Sequence, residues 1–528
     1  IMILKAINQN SFFITFLAFY AFWINWFSAN TGVMPIDTFS FFDSGYSVLK
    51  NKLPIRDFWI FSGLIIDYIQ ALFFFIFGLS WKSYIFHSST INVLATFTFY
   101  YFLKNLNLNN WAVLIYSLSF ATLCYPVVGT PFPYLHSYVF SLISIFIFVI
   151  AVIKQKNFLW FILPFIFFAS FFSMQTPSCY IILLILIFSF HYFIKKKNFE
   201  NLKYFIYGSV CILIIFIIFL LATNTPLKSL IYQYFLFPLT IGEGRWTSDP
   251  SAYVKLVDQL NLKRIFGDFK FIHIFYIPLF FLTINTFFKN NKELLFTNIT
   301  ILAACFLFVT NQLMQANQIY IFSLIPVLAS LVHVNINLTP YKNNKIIIII
   351  IFSLLIFATG KYHLRYNVDR KFHDIENLDK NKAVDAEKID IKLKYLKWIS
   401  QSFEKPTDEV NLIKLALTTM KSDNRRKMFV SNYQFFSLLL NEDLNILNRW
   451  YLWDNNTHPT ENHKYFTIYK KTINENFKKN DIEVIYLLGN KNEILFSNIK
   501  NYFDNICFKN NLVIENKFSY HEIIDCKN

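Results

Sequence analysis

Apolar runs of about 20 residues recur along the first two thirds of the chain, and each ends at a short polar segment. Because a helix of about 20 residues crosses a hydrocarbon core of about 30 Å, each run predicts a membrane span. The predicted spans are 11–28, 84–103, 111–126, 137–153, 158–173, 177–194, 204–222, 271–288, 294–311, 318–335 and 345–361. The pattern therefore predicts a polytopic α-helical membrane protein with about 11 transmembrane helices.

The composition changes near position 360, where charged residues become frequent and long apolar runs stop. The pattern that follows is typical of helices at 385–420, 433–440 and 491–503, and of strands at 427–431, 483–488 and 506–519. We therefore expect a transmembrane domain over 1–361 and a soluble C-terminal α/β domain over 362–528. Cys507 and Cys526 lie in this second domain, and a disulfide between them is expected outside the cytoplasm.

The run 64–79 is short and contains Asp67 and Gln70, which indicates an interfacial or re-entrant helix. If the run 64–79 does not cross the membrane, twelve lysines all fall on the same side of the membrane: Lys5, Lys104, Lys154, Lys156, Lys195, Lys196, Lys197, Lys203, Lys289, Lys292, Lys342 and Lys345. The positive-inside rule then places the N-terminus in the cytoplasm. The loops 29–83 and 223–270, and the C-terminal domain, face outward. The net charge of +16 follows from these loop lysines, and no nucleic-acid module accompanies it, so no nucleic-acid partner is expected.

The first outer loop contains four carboxylates: Asp37, Asp43, Asp57 and Asp67. Ionisable side chains near hydrocarbon are costly, roughly 2.5–3.5 kcal/mol each at a helix centre, and usually mark a site or an aqueous face. This loop is therefore the first place to look for the function.

Three features follow in order: D-S-G-Y at Asp43–Tyr46, L-P-I-R-D-F-W at Leu53–Trp59, and a short apolar helix ending in F-G at Phe77–Gly78. This pattern resembles the GT-C membrane glycosyltransferases, in the branch of protein O-mannosyltransferases and lipid A aminoarabinose transferases. The resemblance implies an inverting sugar transfer from a polyprenyl-phosphate donor to a glycolipid, glycan or protein. It also implies a bacterial inner membrane with chemistry on the periplasmic side. The chain departs from the family by lacking a proline in F-S-G-L at Phe61–Leu64 and an acid in the loop Gly129–Ser137.

The family resemblance makes Asp43 the catalytic base, which takes the proton of the acceptor as it attacks the anomeric carbon. F-D-S-G-Y also reads as an Asx-type turn, so a structural role for Asp43 stays open. Asp37 is the rival base, although its place after Pro35 also suits a helix N-cap. Asp57 is a third candidate, and its neighbour Arg56 is a candidate substrate ligand or simply its ion-pair partner.

Arg245 is the candidate for binding the leaving phosphate, since it can do so bidentately and Gly242 and Gly244 leave backbone amides accessible. An ordinary turn is the alternative. His136 could orient substrate or carry a proton. Amides suit sugar hydroxyls because each offers donors and an acceptor, although they also satisfy helix ends. The candidate amides are Gln175, Gln312, Gln315 and Gln318.

No His or Cys spacing predicts a metal site, so no metal ligand is assigned, and a divalent cation such as Mg²⁺ or Mn²⁺ is left open as cofactor. Two other functions compete with sugar transfer. An O-antigen polymerase or ligase would place functional arginines and histidines in a large late loop. A flippase of lipid-linked sugars would favour inverted repeats and polar residues at mid-span, which the sequence lacks.

Overall fold

The computed structural model describes residues 2–196, 199–247, 255–315, 319–339, 345–489, 496–503, 506–524 and 526. Most of the described chain is helical. The helices are α1 (Met2–Ala29), α2 (Pro35–Thr38), α3 (Phe42–Leu49), α4 (Leu64–Phe77), α5 (Trp81–Lys104), α6 (Asn110–Leu123), α7 (Pro133–Lys154), α8 (Asn157–Ser173), α9 (Gln175–Lys196), α10 (Phe199–Ala222), α11 (Leu227–Leu230), α12 (Phe237–Trp246), α13 (Leu256–Gln259), α14 (Leu262–Asp268), α15 (Lys270–Phe288), α16 (Lys292–Met314), α17 (Leu324–Ile336), α18 (Lys345–Tyr362), α19 (Pro406–Ser422), α20 (Phe436–Leu440), α21 (Phe466–Lys479) and α22 (Phe496–Lys500). The strands are β1 (Val384–Asp385), β2 (Lys397–Trp398), β3 (Lys427–Ser431), β4 (Val484–Leu488), β5 (Cys507–Ile514) and β6 (Phe518–Ile524).

Within the described residues, seven helical segments are long and apolar enough to cross a membrane: Ser11–Ala29, Pro133–Lys154, Gln175–Lys195, Phe199–Ala222, Lys270–Phe288, Lys292–Met314 and Lys345–His373. These segments indicate a membrane protein. The other four predicted spans fall on α5, which is less apolar, and on α6, α8 and α17, which have 14, 17 and 13 residues. At a rise of 1.5 Å per residue, 13 residues cover about 20 Å of a 30 Å core. The count of eleven spans therefore stays a prediction.

The core of the helical bundle forms around α7, whose apolar side chains are almost all buried against α5, α8, α9 and α16. Helix α17 is also buried along its whole length, although it is too short to span by itself. In contrast, α10 packs mainly on α8 and leaves most of its Ile, Leu and Val side chains exposed. Such an all-round apolar helix is expected where the neighbours are lipid chains rather than water.

The C-terminal part is an α/β unit built on a four-stranded sheet in the order β3-β4-β6-β5. β3 and β4 are parallel, and the other pairs are antiparallel. The strand side chains alternate between two apolar clusters, so that α19 covers one face and α21 covers the other. The predicted strands at 427–431 and 483–488 are confirmed, whereas the prediction at 506–519 covers β5 and stops at the start of β6. The structure also joins Cys507 to Cys526 in a disulfide.

The helical prediction for 385–420 is correct only in its second half. Residues 386–388 and 391–393 form 3₁₀ turns, and β1 pairs with β2 in a small antiparallel sheet. α19 begins where the local signals favour a helix, with Pro406 in its first turn, acidic Asp408 and Glu409 behind it, and Lys421 in its last turn.

The predicted first outer loop and the C-terminal part form one packed structure, which we call the outer unit after that prediction (residues 30–80 together with 369–526, as far as described). Side chains of α3, α4, α19, α20 and the sheet share a single apolar cluster. The loop also pairs with the C-terminal part through backbone bridges from Thr31 to Lys397 and from Trp59 to Asn448. The loop is therefore folded against the C-terminal part and is not an independent segment.

Candidate functional site

Three of the four carboxylates of the predicted first outer loop lie on helices, Asp37 on α2, Asp43 on α3 and Asp67 on α4, whereas Asp57 lies in a turn. Pro35 begins α2, the four-residue helix that contains Asp37. Gly63, with a φ of 79°, occupies the left-handed region just before α4, which contains Asp67. A side chain at Gly63 would also collide with Phe41 and Arg449, so the position requires glycine for space as well as for conformation.

Asp43 lies in the first turn of α3 and is fully buried. Its two oxygens accept the backbone N–H groups of Ser437 (3.0 Å) and Leu438 (2.9 Å), at the N-terminal end of α20. Burial raises the pKa of Asp43 to about 7, although these amide hydrogen bonds and Lys392 act in the opposite direction. The family-implied base is thus an N-terminal cap of a helix in the C-terminal part.

Asp67 forms a fully buried ion pair with Arg449, which comes from the loop between α20 and α21. Its other oxygen accepts the hydroxyl of Ser44 at 2.6 Å. The Arg449 guanidinium also lies over the ring of Phe41, 4.4 Å from its centroid, and donates to the carbonyl of Ser62. Burial raises the pKa of Asp67, and the guanidinium opposes that rise. A pair this buried costs several kcal/mol if only one partner is removed.

The carboxylate of Asp57 is also bound by other protein groups. It accepts the Nε–H of Arg56 and the backbone N–H of Leu53, both at 2.8 Å, and it lies 3.6 Å from the Nζ of Lys479. Arg56 donates further to the carbonyl of Thr223 at 2.9 Å. Arg56, a predicted substrate ligand, therefore connects the first and second outer loops.

Asp37 differs from the other three acids. Its side chain is partly exposed, and within the described residues its carboxylate has no hydrogen bond and no ion pair. Its position is set through the backbone, because its carbonyl accepts the hydroxyl of Ser40 at 2.8 Å, which in turn accepts the indole N–H of Trp450 at 3.1 Å. Burial without a compensating cation raises the pKa of Asp37 to about 7. Such a carboxylate is half ionised near neutral pH.

The surroundings of Asp37 include groups that the sequence did not single out. Its neighbour Thr38 lies 3.3 Å from Nε2 of His373, and Tyr320 is within electrostatic range of the Asp37 carboxylate. Arg370 is buried nearby and donates to backbone carbonyls, among them that of Val128 at 2.7 Å. These residues come from segments far apart in the chain, and their only sequence signal is the basic run R-K-F-H just after the last predicted span.

His136 lies inside the bundle and is fully buried. Its Nδ1 lies 2.6 Å from the Tyr125 hydroxyl, and its Nε2 lies 2.9 Å from Nε2 of His87. His87 continues the chain to Gln70 of α4, whose Oε1 lies 3.0 Å from its Nδ1. Each ring nitrogen is thus occupied by a protein partner, which is the arrangement of a neutral hydrogen-bond network that joins α4, α5 and α7.

The predicted amides divide into two groups. Gln175 donates to the carbonyls of Phe61 (2.8 Å) and Tyr234 (2.7 Å), and Gln315 donates to the hydroxyl of Thr176 at 2.8 Å. The side-chain amides of Gln175 and Gln315 are therefore bound by other groups of the protein. Gln318 lies outside the described residues.

Gln312 and its neighbour Asn311 keep unused hydrogen-bonding capacity. Gln312 accepts the N–H of Tyr320 at 3.2 Å. Its Nε2 is buried and has no partner in hydrogen-bonding geometry within the described residues, although Tyr134 lies beside it. The Oδ1 of Asn311 is likewise buried, and none of the described residues pairs with it. Buried polar atoms without partners are uncommon, and a bound ligand or water is the usual explanation.

Arg245 lies in α12, so the segment around Gly242 and Gly244 is helical and its amides do not form an open anion-binding turn. Among the described residues, the Nε of Arg245 is buried without a partner. Burial lowers the pKa of Arg245, while Asp454 of the C-terminal part opposes that shift. No hydrogen bond or ion pair joins Arg245 to Asp37 in the described part of the chain, and the phosphate role of Arg245 stays a prediction.

A divalent cation has no protein cage within the described residues, since no three His, Cys, Asp or Glu side chains come together there. Mg²⁺ often uses only one or two carboxylates together with substrate phosphates. Asp37 is the carboxylate that would supply one such oxygen.

Asp37 is connected to the amides through Tyr320, which lies within electrostatic range of the Asp37 carboxylate and donates its backbone N–H to Gln312. Comparison with known proteins adds no assignment: no family model matches the chain, and the search of curated proteins gives no match.

Proposed function

We propose that this protein is an integral membrane glycosyltransferase that moves a sugar from a polyprenyl-phosphate donor to an acceptor hydroxyl or amine. The GT-C resemblance of the first outer loop is the starting point, and the seven apolar helices are consistent with it. The proposal places the enzyme in a bacterial inner membrane, with the N-terminus in the cytoplasm and the outer unit in the periplasm.

The observation that carries the proposal is the state of Asp37. A general base needs a free oxygen, reach to the acceptor proton and a pKa near the working pH. Asp37 is a partly exposed residue whose carboxylate has no partner within the described residues and a pKa raised to about 7. Asp43, Asp57 and Asp67 each have their oxygens engaged by other protein groups. We therefore assign the base to Asp37 and a structural role to Asp43.

The chemistry then follows from the position of Asp37. Its carboxylate accepts the proton of the acceptor O–H or N–H as that atom attacks the anomeric carbon. The bond from the anomeric carbon to the phosphate oxygen breaks, and its electron pair leaves with the polyprenyl phosphate. Attack opposite to the leaving group inverts the anomeric centre, as the resemblance implies. The unpaired atoms of Gln312 and Asn311 are suited to sugar hydroxyls, since amides both donate and accept.

Reconstitution tests this proposal. Purified protein in proteoliposomes is supplied with radiolabelled polyprenyl-phosphate sugars and a host membrane extract as acceptor, and the transferred label is counted. We expect transfer, or slow donor hydrolysis, with wild type and at least 100-fold less with Asp37→Asn. Lipid-linked sugar that crosses the bilayer without turnover would contradict the proposal and favour a flippase.

A further inference from the structure

A groove of about 740 Å³ opens on the side of the bundle between α15, α17 and α18. Almost all of its lining is apolar. The lining includes Pro278, Leu282, Val332, Ile336, Ile350 and Leu354. The neighbouring side chains Phe281, Ile349 and Ile346 are strongly exposed, as expected for a surface that faces lipid chains.

The groove is a wedge that is closed at one end. At that end α15 and α18 meet, where the ring of Phe271 lies 5.8 Å from the rings of both Phe357 and Tyr362. Away from this contact, the two helices separate, and both pack against α17, which forms the floor. Among the described residues, which leave out 340–344, the groove is open where α15 finishes and α18 begins, at Lys345.

The open end is positively charged. Lys289 lines the groove, is exposed, and donates one of its three N–H groups to the carbonyl of Leu338 at 2.6 Å. Asn285, one turn earlier on α15, adds an amide to the same wall. Lys345 is exposed in the first turn of α18, where the helix dipole also favours an anion. An apolar wedge with cations at its open end has the polarity of a lipid that carries an anionic headgroup.

We infer that this groove binds one anionic diacyl phospholipid, with its phosphate at Lys289 and its acyl chains directed toward the closed end. The groove is long enough for the acyl chains of one leaflet, since its wall along α15 runs 15 residues from Ile274 to Lys289, about 22 Å, and half of a 30 Å hydrocarbon core is about 15 Å. The long chain of a polyprenyl lipid would have to leave the closed end. This site is independent of the sugar-transfer proposal, since it uses none of the residues around Asp37.

Native mass spectrometry tests the inference. Purified, delipidated protein is titrated with phosphatidylglycerol and with phosphatidylcholine of the same chains. We expect the first phosphatidylglycerol to bind at least fivefold more tightly than phosphatidylcholine. Lys289→Gln should lower the phosphatidylglycerol affinity about fivefold, as expected for one basic contact at a membrane surface. Ile350→Trp, at an exposed position in the groove, should reduce binding of both lipids by filling the space.

The matched control is Lys154→Gln, which removes an exposed lysine at the end of α7 without touching the groove. It should leave the first lipid-binding step unchanged. Equal affinity for the two lipids, or wild-type binding in both groove variants, would overturn the inference. Displacement of phosphatidylglycerol by polyprenyl phosphate from wild type but not from Ile350→Trp would also overturn it, because the groove would then belong to the longer lipid.

Discussion

The helical bundle and the outer unit are held together by different kinds of contact. In the bundle, the buried polar groups are mainly neutral, as in the network of His87, His136 and Tyr125. In the outer unit, charged groups of the first loop bind the C-terminal part, with Asp67 paired to Arg449 and Asp43 on the amides of α20. Three of the four acids in this loop therefore stabilise the fold, because their oxygens are bound by other protein groups. Asp37 is the fourth acid, and its carboxylate has no such partner within the described residues.

The largest effect on the stability of the outer unit is expected for Arg449→Met. This substitution leaves the Asp67 carboxylate buried without its cation, so we expect a loss of about 3–5 kcal/mol in the free energy of unfolding of the outer unit. Chemical denaturation followed by tryptophan fluorescence measures it.

Arg426→Met is the matched control, since its partner Asp481 is exposed and the loss should stay below about 1 kcal/mol. Combining Arg449→Met with Asp67→Leu should recover most of the stability. A stable Arg449→Met single variant would show that the buried pair does not join loop and C-terminal part.

A medium effect is expected for Asp43→Ala. It removes the acceptor for the amides of Ser437 and Leu438, and loss of such a cap costs about 1–2 kcal/mol. Hydrogen exchange should show faster exchange at these two amides and unchanged protection in β4. Unchanged protection at both amides would contradict the capping role.

A pH-dependent effect sharpens the contrast at Asp37. Its pKa is raised from 3.8 to about 7 in the folded protein, so the folded state holds this proton more tightly than the unfolded state. The associated stabilisation is complete below about pH 4 and is lost as the pH rises through about 7. Asp37→Asn should therefore melt higher than wild type at pH 8 and equally at pH 4. Equal melting temperatures at both pH values would mean that the Asp37 carboxyl has an ordinary pKa.

Local pattern was enough to predict much of the architecture. The apolar runs predicted β3 and β4 to within one residue, because buried strands leave a compact signal between polar segments. The apolar helices were also predicted in place, and the number that span a membrane was not settled because several are short. The first half of 385–420 was mispredicted as helical, since its pairing with distant Thr31 is not encoded locally.

The sites were harder to predict for the same reason. Asp67 and Arg449 are separated by 382 positions, and nothing in either neighbourhood identifies the partner. The resemblance of the motif around Asp43 indicated a catalytic role, whereas in the structure its two oxygens accept hydrogen bonds from backbone amides. Asp37 was a candidate from the sequence, but its lack of a partner is a property of the folded protein alone.

The most direct test compares Asp37→Asn with Asp43→Asn, Asp57→Asn and Asp67→Asn in one sugar-transfer assay. The measured quantity is kcat/KM per folded molecule, with the folded fraction taken from unfolding curves. The account predicts a loss of about 100-fold or more for Asp37→Asn, and losses that follow the folded fraction for the other three. Near wild-type kcat/KM in Asp37→Asn, with the large loss in Asp43→Asn instead, would contradict it.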